Sequence, residues 1–224
     1  MCLILEITKP SKHAERIIRS AAKRNPDGYG LAYYTDDWHG VKGLHRGRAA
    51  PILKAYHAVK QYAAPDHPIV LHVRQATAGE VSLKNCHPFR LGGALFFHNG
   101  HFSIPNFFLA DGDSDSAHVA RMLAAYVLKR DKLDTSKLDK ALDGITGSRN
   151  KVLICLPNGH TRKYGQFNYV EPSLCVSNFY AWNSWPYTTV AKGSYYDTQA
   201  GKQKLDLGYS TNAPYSYPPA YYKI

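Results

Sequence analysis

Strand-like and helix-like hydrophobic patterns follow one another along this chain without regular alternation. Apolar residues recur at helical spacing over residues 14–22, 52–62, 115–129 and 138–145. Strand patterns occupy the segments MCLILEI, GLAYY, IVLHVR, ALFFHN and KVLICLP. A parallel α/β sheet needs strands that alternate with helices, so this irregular order favours a layered α+β domain instead.

The length of 224 residues is enough for one domain with a sizeable core. The last segment, GYSTNAPYSYPPAYYKI, is rich in Tyr, Pro and Ser and has no apolar periodicity. We therefore predict one domain over residues 1–205 and a C-terminal arm over residues 206–224. No segment has the roughly 20 apolar residues of a membrane helix, and the N-terminus lacks a secretory signal, so we expect a cytoplasmic protein with no membrane partner.

The formal charge of +11 would suit an acidic partner, and nucleic acid is one such candidate. The Lys and Arg residues are scattered, however, and a solvated basic surface explains them as well. The four cysteines form no CxxC pair, which argues against a zinc ribbon or a disulfide scaffold.

Cys2 stands at the head of the first apolar strand. If Met1 is removed, which a small second residue permits, Cys2 carries both a thiol and a free α-amine. The amine titrates near pH 7.7 to 8.0, close enough to neutrality to accept the proton of the thiol. The alternative is that Cys2 is a small buried apolar residue of the strand.

Three further segments contain polar residues with two interpretations each. Arg74, at the end of a strand, is either an ordinary surface residue or a planar partner for a carboxylate. Asn99 and Gly100 predict a β-hairpin turn, or else two donors for a developing oxyanion. Asp115 predicts the N-cap of a helix, a position that also suits an ammonium group.

Four histidines flank these segments, but none of the HxxxH or HExxH patterns of zinc sites is present. The aspartates before residue 116 do not fit an EF-hand loop, because Gly and Glu are missing where that loop needs them. We therefore predict no metal site and no cofactor.

Taken in order, these segments resemble the class II glutamine amidotransferase domains, which are members of the N-terminal nucleophile hydrolases. The shared features are a cysteine after the initiator methionine, a turn like RNPDGYG, an H-x-R-x-A-T-x-G...N-x-H-P stretch, an H-N-G, and a helix that opens after an aspartate. The matching residues here are Cys2; 24–30; His72, Arg74, Ala76, Thr77, Gly79, Asn85, His87 and Pro88; His98, Asn99 and Gly100; and Asp113 with Asp115. The resemblance spans about the first 125 residues.

The resemblance implies a four-layer αββα sandwich of two antiparallel sheets and a glutaminase activity. By position, Cys2 corresponds to the nucleophile that forms a thioester with glutamine, and Asn99 and Gly100 correspond to the oxyanion hole. Arg74 matches the residue that binds the α-carboxylate, Asp115 the one that binds the α-ammonium, and Thr77 lines the pocket. The supporting residues are Arg24 and Asp27, placed in a loop that braces the nucleophile, and His87.

Two positions depart from the sugar-phosphate members of the family, which often have an aromatic residue and a histidine where this chain has Gln75 and Ala78. Strict preference for glutamine is therefore open. Three functions remain as expectations: a glutaminase that supplies ammonia to a separate acceptor or synthase protein, a hydrolase of γ-glutamyl amides or peptides that acts alone, and an inactive basic module that binds nucleic acid.

Overall fold

A computed structural model describes residues 1–104, 110–130, 132–146 and 149–180 of the chain. The predicted boundary between residues 205 and 206, and the predicted C-terminal arm, lie outside these residues.

Two antiparallel sheets form the centre of the molecule. The six-stranded sheet consists of β1 (Leu3–Ile7), β2 (Gly28–Tyr34), β3 (Trp38–Leu44), β4 (Ile69–Arg74), β11 (Asn168–Glu171) and β12 (Leu174–Val176), in the spatial order β11-β12-β1-β4-β2-β3. The four-stranded sheet consists of β5 (Phe89–Leu91), β6 (Ala94–Asn99), β9 (Lys151–Cys155) and β10 (Thr161–Tyr164), in the order β10-β9-β6-β5. A short ribbon joins β7 (Leu128–Lys129) to β8 (Lys132–Leu133).

Helices cover the outer face of each sheet. The four helices are α1 (Lys12–Arg24), α2 (Ala49–Tyr62), α3 (Asp115–Val127) and α4 (Thr135–Ile145). The apolar faces of α1 and α2 pack on the six-stranded sheet, and those of α3 and α4 pack on the four-stranded sheet. A third apolar cluster, which includes the fully buried Ile4, Trp38 and Phe97, fills the space between the sheets. These layers are the expected αββα sandwich of an α+β domain.

The helix predictions are confirmed with small changes at their ends. The hydroxyl of Ser11 accepts hydrogen bonds from the backbone N–H groups of His13 and Ala14, at 3.0 and 3.3 Å, and caps α1. α3 ends at Val127, two residues earlier than predicted, because the chain enters the β7–β8 ribbon.

The hairpin interpretation of Asn99 and Gly100 is wrong. β6 ends at Asn99, and its partners in the sheet are β5 and β9. Residues 101–104, which follow Gly100 directly, form no strand. A side chain at Gly100 would overlap the backbone of Arg149 and the side chain of Asn150, so this position needs glycine for a close approach of two backbones.

Three buried histidines lie near the ends of β4 and β6: His72 and His87 pack on each other between the sheets, and His98 faces α3 on the other side of the four-stranded sheet. His72 packs on His87 with ring centroids 4.1 Å apart, and His72 Nε2 lies 3.2 Å from the carbonyl oxygen of His98. Burial lowers the pKa of His72 to about 3 and that of His98 to about 4, and it lowers the pKa of His87 well below its usual range. All three are therefore neutral in the folded protein at neutral pH.

This cluster predicts a loss of stability in acid. Below pH about 6.5 the unfolded chain binds protons at these histidines while the folded chain does not, so each contributes a loss of about 2 kcal/mol in unfolding free energy between pH 7 and pH 5. Urea unfolding at the two pH values measures this loss. His87→Phe removes one of the three histidines and should reduce the loss of unfolding free energy by about 2 kcal/mol. Replacement of the exposed His160 by Gln should leave the loss unchanged.

Candidate active site

Cys2 lies directly before β1, an interior strand of the six-stranded sheet, and beside the end of β4. In the pairing of β1 with β4, Leu3 lies opposite Val73, which places Cys2 next to Arg74. The partly buried thiol donates a hydrogen bond to the carbonyl oxygen of Gln75 at 3.3 Å and accepts one from its backbone N–H at 3.4 Å. Burial raises the pKa of the Cys2 thiol, so the resting group is protonated and needs a base.

Arg74 is buried, with 3% of its surface exposed. Its two terminal nitrogens donate to the carbonyl oxygens of Ala78 and Glu80, both at 3.1 Å, and hold the polar loop over residues 75–82. A guanidinium has five N–H donors, so donors remain for a carboxylate. The predicted pocket residue Thr77 lies exposed in this loop.

Asn85 connects the loop to the start of α3. Its side-chain NH₂ donates to the carbonyl oxygens of Glu80 and Gly112, at 3.0 and 2.7 Å, and its Oδ1 accepts from the backbone N–H of Ser114 at 2.8 Å. These bonds fix the position of α3 relative to Arg74. The sequence motif included Asn85 but did not indicate this role.

Asp115 is the first residue of α3, and the N-cap prediction for it is wrong. Ser114 caps the helix, and its hydroxyl accepts from the backbone N–H of Ala117 at 3.2 Å. The buried Asp115 carboxylate instead accepts from the N–H groups of Phe102 and Ser116, at 2.7 and 2.8 Å. An anionic side chain is therefore held at the positive end of a helix.

Both Arg74 and Asp115 lie close enough to the thiol for their charges to act on it. The positive charge of Arg74 lowers the pKa of Cys2 and the negative charge of Asp115 raises it, although both effects are smaller than that of burial. The site thus combines a sulfur atom, a fixed cation and a fixed anion.

Asn99 and Gly100 approach this site from the four-stranded sheet. Asn99 is buried at the end of β6, and its side-chain NH₂ donates to the hydroxyl of Ser177 at 2.8 Å. The hydroxyl of Ser177 also accepts from the backbone N–H of Ile4 at 2.9 Å, two residues after Cys2. Asn99 is therefore linked to the strand that carries the thiol.

Sequence reasoning missed Ser177 and Asn178. The backbone N–H of Ser177 donates to the carbonyl oxygen of Ile4 at 2.9 Å, and the side chain of Asn178 donates to the carbonyl oxygen of Cys2 at 2.8 Å. Both residues follow the short strand β12 and belong to no motif. Only the pairing of β12 with β1 brings them to the site.

The predicted supporting residues lie in three different places. The carboxylate of Asp27 accepts a hydrogen bond from the backbone N–H of Ala76 at 2.6 Å, in the loop that follows β4. Arg24 is the last residue of α1, not a loop residue, and its guanidinium lies over the ring of Tyr180 at 5.7 Å. His87 packs between the sheets, against His72.

Within the described ranges, no cluster of three or more His, Cys, Asp or Glu side chains is arranged to hold a metal ion. In the same ranges, no helix has the length and apolar character needed to cross a membrane.

Comparisons with known proteins bear on the fold and the family of the chain. In a structural comparison, the glutamine phosphoribosylpyrophosphate (PRPP) amidotransferase from B. subtilis matches with a TM-score of 0.55 and 13% sequence identity, over 81% of this chain and 42% of that chain. This likeness shows the fold, an αββα sandwich. A Haemophilus influenzae protein named "Putative glutamine amidotransferase" is 29% identical over 131 residues, which are 54% of this chain and 44% of that protein.

The chain thus spans less than half the length of each of these two proteins. A sequence model of the family described as "Glutamine amidotransferases class-II" matches residues 14–145, more than half of the chain. The matched region contains Arg74, Asn99 and Asp115 and begins after Cys2. The chain therefore belongs to the class II glutamine amidotransferases.

Proposed function

We propose that this protein hydrolyses the side-chain amide of glutamine and releases ammonia for a separate acceptor enzyme. The observation that carries the proposal is that a fixed cation, Arg74, and a fixed anion, Asp115, both act on the pKa of the Cys2 thiol. A free amino acid is a zwitterion, and it needs one fixed cation and one fixed anion for its two charged groups. Arg74 binds the α-carboxylate of glutamine and Asp115 binds its α-ammonium, which leaves the side-chain amide to reach Cys2.

Removal of Met1 makes the α-amine of Cys2 the base of the reaction. Because burial raises the pKa of the thiol, the sulfur does not ionise by itself near neutral pH. The α-amine takes the thiol proton as the sulfur attacks the amide carbon of glutamine. The negative oxygen that forms accepts hydrogen bonds from the Asn99 side chain and the Gly100 backbone N–H.

The tetrahedral intermediate then breaks its carbon–nitrogen bond. The α-ammonium of Cys2 gives its proton to the departing nitrogen, so that ammonia leaves and a γ-glutamyl thioester remains on Cys2. Water, deprotonated by the same amine, attacks the thioester, and glutamate and the free thiol are restored. Every step uses groups of the chain itself, and no cofactor is needed.

The residue at position 75 supports a second candidate, a hydrolase of γ-glutamyl amides or peptides. The backbone of Gln75 contacts the thiol of Cys2, and the side-chain carbonyl of Gln75 accepts a hydrogen bond from the amine of Met1. A polar amide therefore lies beside the nucleophile where sugar-phosphate members of the family often have an aromatic ring. Such a group would suit a substituted amide nitrogen better than an aromatic ring does.

A substrate panel tests the proposal. The protein, with removal of Met1 verified by intact mass, is incubated with glutamine, γ-glutamyl peptides and asparagine, and the released glutamate or aspartate is measured. We expect glutamate from glutamine and no aspartate from asparagine, because the shorter side chain does not reach Cys2 when both charged groups are held. Faster release from γ-glutamyl peptides than from glutamine would favour the second candidate, and release from no γ-glutamyl compound would refute both.

A further inference from the structure

Ser177 joins the two sheets next to the nucleophile. Its hydroxyl accepts from the backbone N–H of Ile4 in the six-stranded sheet, at 2.9 Å, and from the side-chain NH₂ of Asn99 in the four-stranded sheet, at 2.8 Å. Ser177 is almost fully buried, with 1% of its surface exposed. The same side chain therefore contacts the strand of the thiol and the residue proposed to stabilise the oxyanion.

In this arrangement the side chains of Asn99 and Ser177 each have one polar group without a hydrogen-bond partner among the described residues. Within the described ranges, the side-chain Oδ1 of Asn99 is buried without a hydrogen-bond partner. The Ser177 hydroxyl accepts two hydrogen bonds there, and its own proton has no acceptor among the described residues. A buried acceptor and a buried donor thus both lack partners within one contact, an unfavourable state for a protein interior.

A half-turn of the Asn99 side-chain amide gives a hydrogen-bond partner both to Asn99 Oδ1 and to the hydroxyl proton of Ser177. The oxygen and nitrogen of a side-chain amide have nearly the same shape, so the turn requires no movement of neighbouring atoms. After the turn, the Ser177 hydroxyl donates to Asn99 Oδ1 and still accepts from the N–H of Ile4. The NH₂ group of Asn99 then occupies the place of the oxygen that had no hydrogen-bond partner.

We infer that Ser177 is a positioning residue that holds the Asn99 amide with its NH₂ group free for the oxyanion. The inference rests on the proposed function, because it assigns the orientation of one of the two proposed oxyanion donors. Without the hydroxyl of Ser177, nothing in this contact distinguishes the two orientations of the amide. The orientation with the oxygen towards the substrate repels the negative charge that forms in the reaction.

The contact between Ser177 and Ile4 also helps to fix the separation between Cys2 and Asn99. The backbone N–H of Ser177 donates to the carbonyl of Ile4 while its hydroxyl accepts from the N–H of the same residue. The separation between Cys2 and Asn99 is therefore fixed through one residue. An oxyanion donor is effective only when it is already in place as the charge develops.

A double-mutant cycle tests the inference in protein with verified free Cys2. The cycle compares kcat and KM for glutamine in the unmodified protein, Ser177→Ala, Asn99→Ala and the double variant. We expect Asn99→Ala to lower kcat by roughly 100-fold or more, and Ser177→Ala by about 10-fold or more, with little change in KM. The double variant should be no slower than Asn99→Ala, because Ser177 acts through Asn99.

A purely structural role for Ser177 would give a different result. The two losses in kcat would then multiply in the double variant, and that outcome overturns the inference, as does unchanged kcat in Ser177→Ala. Alkylation of Cys2 by iodoacetamide needs no oxyanion donor, so its rate should be equal in the unmodified protein and in Ser177→Ala. Ser177→Thr keeps the hydroxyl and should recover most of the kcat that Ser177→Ala loses.

Neutron diffraction of the unmodified protein provides a measurement that needs neither a folded variant nor turnover. The deuterium between Ser177 and Asn99 should lie on the serine oxygen; a deuterium on the Asn99 nitrogen overturns the inference. Failure of the proposed function is a separate outcome, in which protein with free Cys2 hydrolyses no γ-glutamyl compound at all.

Discussion

Replacement of Cys2 by alanine is expected to abolish glutamine hydrolysis, with a loss in kcat on the order of 10⁴-fold or more, because the covalent route disappears. The thiol is the only nucleophile placed by the proposal between Arg74 and Asp115. Its removal leaves the binding groups intact, so the variant should still bind glutamine. Glutamate release measures the loss, and calorimetric titration with glutamine measures the retained binding.

Cys175→Ala is the matched control for this experiment. Cys175 is buried in β12 of the six-stranded sheet, opposite Glu6, which is four residues after Cys2 in the chain. Its replacement removes a thiol of the same sheet and should cost some stability while leaving kcat within a few-fold. Equal losses of activity in the two variants would indicate damage to the sheet and not the loss of a nucleophile.

The α-amine can be tested without changing the thiol. Insertion of a lysine between Met1 and Cys2 places a large residue second, so that Met1 is retained and Cys2 keeps its side chain but has no free amine. Because burial raises the thiol pKa, the inserted form should be nearly as inactive as Cys2→Ala. Full glutaminase activity in a protein whose intact mass includes Met1 would contradict the role of the amine.

Much of the fold could be predicted because most elements show a regular apolar pattern. The buried strand β9 is an almost continuous apolar run, and the helices repeat apolar residues at helical spacing. β3 (Trp38–Leu44) was missed because it is an edge strand: four of its seven residues are exposed, and two are glycines, so little alternation remains.

The candidate site was predictable only where its residues form local motifs. Arg74 and Asp115 were proposed because each stands in a motif of the family, and the charges of both act on the thiol of Cys2. Ser177 and Asn178 could not be found in this way, because their contacts with Ile4 and Cys2 join residues 173 and 176 positions apart. Such contacts follow from strand pairing, and sequence spacing does not indicate them.

Local signals were misleading where a second use of the same residues prevailed. Asn followed by Gly is a strong hairpin signal, yet here Gly100 is needed for contact with the backbone of residues 149 and 150. Asp115 stands where a cap is expected, yet Ser114 caps the helix. In both cases the residues do not have the structural role that the local sequence indicates: Asn99 and Gly100 form no hairpin turn, and Asp115 does not cap the helix. They therefore remain available for the proposed site.

Asp115→Asn is expected to lower kcat/KM for glutamine by about 100-fold, equivalent to about 3 kcal/mol, because the buried α-ammonium of the substrate loses its counter-charge. The variant keeps the size of the side chain. It loses one of the two oxygens that accept from the N–H groups of Phe102 and Ser116, so some loss of stability is also expected, and thermal unfolding measures it.

Asp113→Asn is the matched control, because the two carboxylates are neighbours with different partners. Asp113 pairs with Arg121 and lies 3.6 Å from the ammonium of Lys84. These pairs lie near the surface, so their loss should change kcat/KM by no more than a few-fold. A large effect at Asp113 with none at Asp115 would place the ammonium site elsewhere.

A substrate without the α-amine distinguishes the loss of ammonium binding at Asp115 from a general loss of activity in a less stable variant. Glutaric acid monoamide has the side-chain amide and the carboxylate of glutamine but no ammonium group. The unmodified protein should prefer glutamine to this compound by about 100-fold in kcat/KM, because only glutamine pairs with Asp115. In Asp115→Asn the preference should fall to nearly one, since the partner of the ammonium is gone. A variant that is merely less stable would lose activity on both compounds and keep the preference, and that result would contradict the assignment of Asp115.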